Sequence, residues 1–222
     1  MQSVFLFSSS TIYMAVELLF VPFITLGYLL LPNKKSTLFT LFLVVYSISD
    51  ILNLFDGETF TESLYFICNS LYVLAYIFLF FSILFSMDLR KVFKKFYFQC
   101  IVLTGLSIYL FIVLFNIVNP VTFESDIVAL VQFVEHMYNL VLLFILVVSF
   151  LSYLEKETSK SLLLFLACLS LIFSEFLLIG YYYLLEMDVL SYIATMLNFL
   201  AFMLFFYQAK LKPESKKKVS YI

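Results

Sequence analysis

Apolar residues fall in seven long runs, near residues 9–31, 37–55, 62–86, 96–118, 127–154, 161–185 and 188–210. At a rise of about 1.5 Å per residue, runs of this length match the ~30 Å hydrocarbon thickness of a bilayer. The breaks are Pro32-Asn33, Asp56-Gly57, Asp88 to Lys95, Asn119-Pro120, Glu155 to Lys160 and Glu186 to Asp188. They consist of residues that stop helices or favour turns. A membrane strand needs only about ten alternating residues, so these longer unbroken runs predict helices. The expected fold is all-α, a polytopic transmembrane helix bundle of about seven spans. Residues 1–211 are expected to form a single transmembrane domain and 212–222 a basic cytoplasmic tail. Met1 to Leu31 has no basic leader and no small-residue cleavage site, so it is read as a retained first span.

Composition agrees with lipid as the main solvent. The chain is 64% hydrophobic and 13% charged with mean hydropathy +1.08, too few polar residues to cover a soluble globule. A formal charge of −2, with no basic stripe interleaved with aromatics, argues against nucleic acid. Cys68, Cys100 and Cys168 lie inside apolar runs without metal-like spacing and read as small buried hydrophobes. The abundance of Phe and Tyr, with Lys far above Arg, reads as the coding bias of an AT-rich genome.

Charge then gives direction. All 13 Lys and Arg lie in alternate connections: Lys34 and Lys35; Arg90, Lys91, Lys94 and Lys95; Lys156 and Lys160; and Lys210 onward. The remaining connections carry only Asp56, Glu58, Glu62, Glu124, Asp126, Glu186 and Asp188. Under the positive-inside rule this predicts N-terminus out, C-terminus in, and an odd number of spans. The expected location is the bacterial inner (cytoplasmic) membrane.

Against this background, polar residues within the runs are the candidate chemistry. With the direction above, Glu17, Asp50, Asn69, Glu175 and Asn198 fall in the outer half or near the midplane, as do Gln132, Glu135, His136 and Asn139. Tyr46, Asp50 and Asn53 share one helix face; Tyr65, Asn69, Tyr72 and Tyr76 share another; Gln132, Glu135, His136 and Asn139 share a third. For the asparagines the ordinary reading is interhelical hydrogen bonding, which contributes about 0.6 kcal/mol per contact. Carboxylates are different, because an Asp at mid-span costs roughly 2.5 to 3.5 kcal/mol on insertion scales. Asp50 and Glu175, each preceded by a serine, are therefore the leading functional candidates, followed by Glu135 with His136 and by Glu17.

Several classes drop out. One His beside one Glu is too few ligands for a zinc or di-iron site, so no metal and no cofactor are expected. A lone imidazole better suits a carboxylate partner or a proton shuttle. There is no Gly-rich phosphate loop and no Gly-x-Ser-x-Gly elbow, and the body of the last run has no lysine for a Schiff base.

YSISDILNLF around Asp50 and IFSEFLLIGYYYL around Glu175 resemble the two acidic signatures of the lysoplasmalogenase-like (YhhN-type) membrane family. SLYVLAYIFLFF resembles its third signature, and HMYNLVLLFILVVSFL the Tyr-containing helix before the late acidic one. The likeness covers about residues 40–185 in the family's order. It departs in three places. Ala75-Tyr76 stands where the family has Ala-His, and Glu175 stands where it has Asp. The family typically has eight spans and a Lys-Pro-Leu element, which Leu31 to Ser36 does not reproduce.

The resemblance implies hydrolysis of the vinyl ether of a lysoplasmalogen to a fatty aldehyde and a glycerophospho-alcohol. Two carboxyl groups suit that reaction. One delivers a proton to carbon, and an ionised one steadies the resulting cation or activates water, as in glycosidases. Glu175, deeper and expected to be more desolvated, is assigned the acid, and Asp50 the ionised role, with the two carboxyls expected within roughly 10 Å. Glu17, Asn69, Tyr76, Glu135, His136, Asn139 and Asn198 are the expected substrate-binding or supporting residues. The partner is then a lipid substrate or a membrane lipid. The competing class is a non-enzymatic seven-helix protein: a small-molecule transporter, a sensor, or a subunit of an envelope complex with a protein partner in the membrane.

Overall fold

A computed structural model describes residues 2–32, 35–54, 62–118, 128–184 and 187–211. Within these, the side chains of residues 2–15, 62, 63, 65 and 128–131 are not described. The described residues form eight helices and no strand: α1 (Gln2–Leu29), α2 (Thr37–Leu54), α3 (Glu62–Leu84), α4 (Leu89–Lys95), α5 (Tyr97–Val118), α6 (Val128–Lys156), α7 (Ser159–Tyr183) and α8 (Asp188–Lys210). Six of them, α2, α3, α5, α6, α7 and α8, are long and apolar enough to cross a membrane, and α1 contributes the apolar stretch Val16–Leu29. This is an all-helical integral membrane protein. The breaks at Asp56-Gly57 and Asn119-Pro120, and the tail 212–222, lie outside the described residues.

Apart from α1, which begins at Gln2 although its apolar run starts near residue 9, the helix limits follow the apolar runs to within a few residues, with local chemistry fixing the ends. α1 stops at Leu29, ahead of Pro32, and Lys35 Nζ donates to the Leu29 carbonyl at 2.6 Å, placing a cation at the negative end of the helix. Pro22 inside α1 has no N–H to donate, so one backbone bond of that helix is missing.

Two ends differ from the sequence reading. The break at Asp88 to Lys95 is itself a short helix, α4, because Asp88 caps it by accepting from the Lys91 N–H. α7 starts at Ser159 and not near 161, because Thr158 and Ser161 form a reciprocal capping box. Between α6 and α7 the chain reverses through Glu157, whose φ of +51° lies in the left-handed region. A residue other than glycine adopts that conformation at a cost of about 1–2 kcal/mol.

The residues group into two compact units, Met1–Ser82 with Val113–Leu142, and Ile83–Ile112 with Leu143–Ile222. In the first, α1 packs on α2. The Thr25 and Ser47 hydroxyls lie 2.8 Å apart across this contact, and Ser47 also donates to the Leu43 carbonyl at 2.7 Å. In the second, α7 packs on α8, pinned by the Ser174 hydroxyl donating to the Ala194 carbonyl at 2.7 Å. Ile101, Val102, Leu106, Ile108, Tyr109 and Ile112 of α5 are all at least half exposed. Water would not support such a surface over the length of a helix; lipid would.

Candidate functional site

The first unit contains a built polar centre. α2 places Tyr46, Asp50 and Asn53 on one face, as their spacing requires, and α3 brings Tyr72 and Tyr76 against it. The Tyr72 hydroxyl donates to Asp50 Oδ1 at 2.7 Å, and Asn53 Nδ2 donates to the Tyr72 oxygen at 2.9 Å. Asp50 is only 4% exposed. At 2.7 Å this is a hydroxyl bond of ordinary length, and it satisfies one oxygen of a carboxyl that the protein buries. Next to Asp50, the Ser49 hydroxyl donates to the Cys68 carbonyl of α3 at 3.0 Å, so consecutive residues of α2 both tie to α3.

Aromatic rings wall the centre. Tyr46 meets Tyr72 edge to face at 4.9 Å and Tyr76 at 5.9 Å, and Tyr76 meets Tyr138 of α6 at 5.4 Å. Tyr76, which stands where the resembled family has a histidine, is completely buried in this cluster. Edge-to-face pairs of this kind contribute about 0.5–1.5 kcal/mol each beyond area burial, so the wall is rigid.

On α6, His136 and Asn139 lie three residues apart on one face. His136 stacks on Phe115 of α5 with centroids 4.4 Å apart, and Asn139 is 2% exposed. His136 Nδ1 and Asn139 Oδ1 are both buried and have no hydrogen-bond partner among the described residues. Native proteins rarely leave such atoms unpaired without water or ligand, because an unmade bond costs about 1–3 kcal/mol. This pair could therefore hold a hydroxyl or a water. Glu17, Asn69 and Glu135 are half-buried. Separately, a shallow groove of about 230 Å³ between α3 and α6 is lined by Ser70, Val73, Phe133, Val134 and Met137.

The second unit holds the other proposed carboxylate. Glu175 on α7 is 8% exposed, directly after the pinned Ser174. Asn198 on α8 is half-buried, and Thr195 nearby is buried and bonded to the Ser191 carbonyl of its own helix at 3.1 Å. Protein burial does not reproduce the expected ranking in which Glu175 is the more desolvated carboxylate, since both it and Asp50 are buried by neighbouring helices. Among the described residues no three His, Cys, Asp or Glu side chains gather in a metal-ligand cluster.

The sequence therefore pointed to Asp50 and to its helix face, while the roles of its neighbours are structural findings. Tyr72, noted only as part of a tyrosine stripe, is the direct partner of Asp50. Tyr138, the tyrosine at the start of the segment that resembles the family's Tyr-containing helix, joins the centre through Tyr76. The spacing put Tyr72 on one face with Asn69 and Tyr76, but did not say that this face meets Asp50. No family model, curated protein or solved structure matches the chain.

Proposed function

We propose that this protein is a lysoplasmalogenase-type hydrolase of the bacterial inner membrane, cleaving the vinyl ether of a single-chain lipid at the centre around Asp50. The observation that carries the reading is the buried Asp50 carboxylate with the Tyr72 hydroxyl aimed at it. A carboxylate held this way, inside helices otherwise made of hydrocarbon, is more than packing requires, since a neutral Asn would accept the same bond. In the proposed topology α1 joins the six apolar helices as a seventh span, its 28 residues being long enough to cross. α4 then lies outside the hydrocarbon, the N-terminus is external and the C-terminus cytoplasmic, as the alternating basic connections favour.

The reaction runs in three steps. A protonated acid adds its proton to the alkenyl carbon remote from oxygen, leaving an oxocarbenium-like cation on the carbon bonded to oxygen. Water adds to that carbon and gives up a proton to a carboxylate. The hemiacetal then collapses: its hydroxyl proton returns to the acid ionised in the first step, the carboxyl protonated in the second gives its proton to the glycerol oxygen as that carbon–oxygen bond breaks, and the aldehyde and the glycerol hydroxyl are released. Asp50 is the ionised carboxylate of this scheme, with Tyr72 and Asn53 fixing its orientation. His136 and Asn139 offer a seat for a substrate hydroxyl, and the groove between α3 and α6 suits an alkyl chain. The sequence reading assigns the acid to Glu175, which belongs to the second unit; within the unit that holds Asp50 the candidate acid is Glu135.

The test is aldehyde release from a lysoplasmalogen by purified protein, wild type against Asp50→Asn. Loss of at least about 100-fold on substitution is the low end for removing an acid–base group and supports the reading. One observation favours the second class, a binding, transport or assembly role: Tyr76 replaces the family histidine and is buried in an aromatic cluster. Absence of aldehyde from well-folded wild-type protein selects that class.

A further inference from the structure

We propose that α4 is a binding site for the headgroup of an anionic phospholipid, with Arg90 and Lys94 as the phosphate-binding cations and Leu89 and Phe93 as the adjoining apolar edge. α4 is anchored within its own unit. Val92 is 1% exposed, and Asp88, which caps the helix, donates its N–H to Glu155 Oε2 of α6 at 3.1 Å. Lys156 Nζ of α6 donates to Ser86 Oγ, just before the cap, at 2.8 Å. Two of the four cations of α4 have anionic partners: Lys91 lies 2.7 Å from Asp88 Oδ2, and Lys95 lies 3.7 Å from Glu157 Oε1.

Arg90 and Lys94 are left over. Both are exposed, four residues apart on one face, and neither has an ion pair among the described residues. The adjacent row, Leu89 and Phe93, is also four residues apart and is 40% and 57% exposed. Tyr97 and Phe98, 66% and 74% exposed, extend the apolar strip onto α5.

A cationic row beside an exposed apolar row needs a surface that offers phosphate and acyl carbon together, which is the headgroup level of a bilayer. The chain places α4 there, between the end of α3 at Leu84 and the start of α5 at Tyr97. The surroundings add to the field: residues 86–95 and 155–160 carry six Lys or Arg and three Asp or Glu. A guanidinium fork at Arg90 matches phosphate oxygens, and Lys94 adds a second charge. The apolar row is what would select a lipid over free phosphate.

The experiment uses the full chain in neutral detergent, following thermal unfolding while phosphatidylglycerol, phosphatidylcholine or inorganic phosphate is titrated. Phosphatidylglycerol is expected to raise the unfolding temperature, and the other two are not. In Arg90→Gln/Lys94→Gln the half-saturating phosphatidylglycerol concentration should rise about 10- to 30-fold, from roughly one tenfold factor or less per charge. Phe93→Ser, which keeps both charges, should also weaken the response. Lys216→Gln/Lys217→Gln, which removes equal charge from the tail, should leave it unchanged. Equal stabilisation by phosphatidylcholine or by phosphate, or an equal loss in the tail variant, would overturn the assignment.

Discussion

Asp50 of α2 and Tyr72 of α3 share a 2.7 Å hydrogen bond, donated by the phenol, in a place where the carboxylate is almost wholly removed from solvent. The bond ties two apolar helices together and sets the carboxylate's direction. Tyr72→Phe should therefore act on both stability and chemistry. Helix association should weaken by about 0.6–2 kcal/mol, the range for interhelical bonds in membranes. Aldehyde release should fall, with the larger effect on kcat if orientation is what is lost. A double-mutant cycle with Asp50→Asn checks the linkage: the two losses should not add. Additive losses would mean that Tyr72 does not act through Asp50.

Glu175→Gln keeps size and hydrogen-bonding capacity while removing the transferable proton. If Glu175 is the acid, aldehyde release drops about 100-fold or more with the protein still folded. Activity that survives this change but fails in Glu135→Gln moves the acid to α6 beside His136.

Reporter fusions test the topology. A fusion after Tyr221 should read cytoplasmic, and one in the Asp56 to Thr61 connection should read external, because the Lys and Arg residues occupy the other set of connections. Both reporters on one side would remove the seven-span arrangement.

The α4 cap carries a pH signature. The hydrogen bond from the Lys91 ammonium is the main cause holding the Asp88 carboxyl below its ordinary value of 3.8, and the capping bond from the Lys91 backbone N–H adds to it. A carboxyl lowered in the folded state stabilises above its unfolded value, and the contribution is lost as pH falls through the folded one. Comparing the unfolding of wild type with Asp88→Asn, which keeps a capping oxygen, should show a small advantage for wild type at neutral pH. That advantage should shrink once pH drops below 3.8. An unchanged gap at low pH would show that charge on Asp88 contributes nothing to the cap.

Helix positions were legible in the sequence because lipid imposes one rule along the whole chain: backbone groups must bond internally over about 20 apolar residues. Hence the runs at 37–55 and 188–210 and the helices Thr37–Leu54 and Asp188–Lys210 nearly coincide. Asp50 stood out for the same reason, as a carboxylate inside such a run. Short-range electrostatics overrode composition at α4, where Asp88 capping Lys91 made a helix of a segment that reads as a polar loop. The tertiary structure alone decided which neighbour each polar residue meets. Period and spacing give the polar face of α2 that carries Tyr46, Asp50 and Asn53, but nothing in the sequence says which helix that face meets. Packing settled it, putting Tyr72 on Asp50 and burying Tyr76 against Tyr46 and Tyr138. Packing also left His136 Nδ1 and Asn139 Oδ1 unpaired among the described residues, because bonding between helices depends on distances that no one-dimensional pattern encodes.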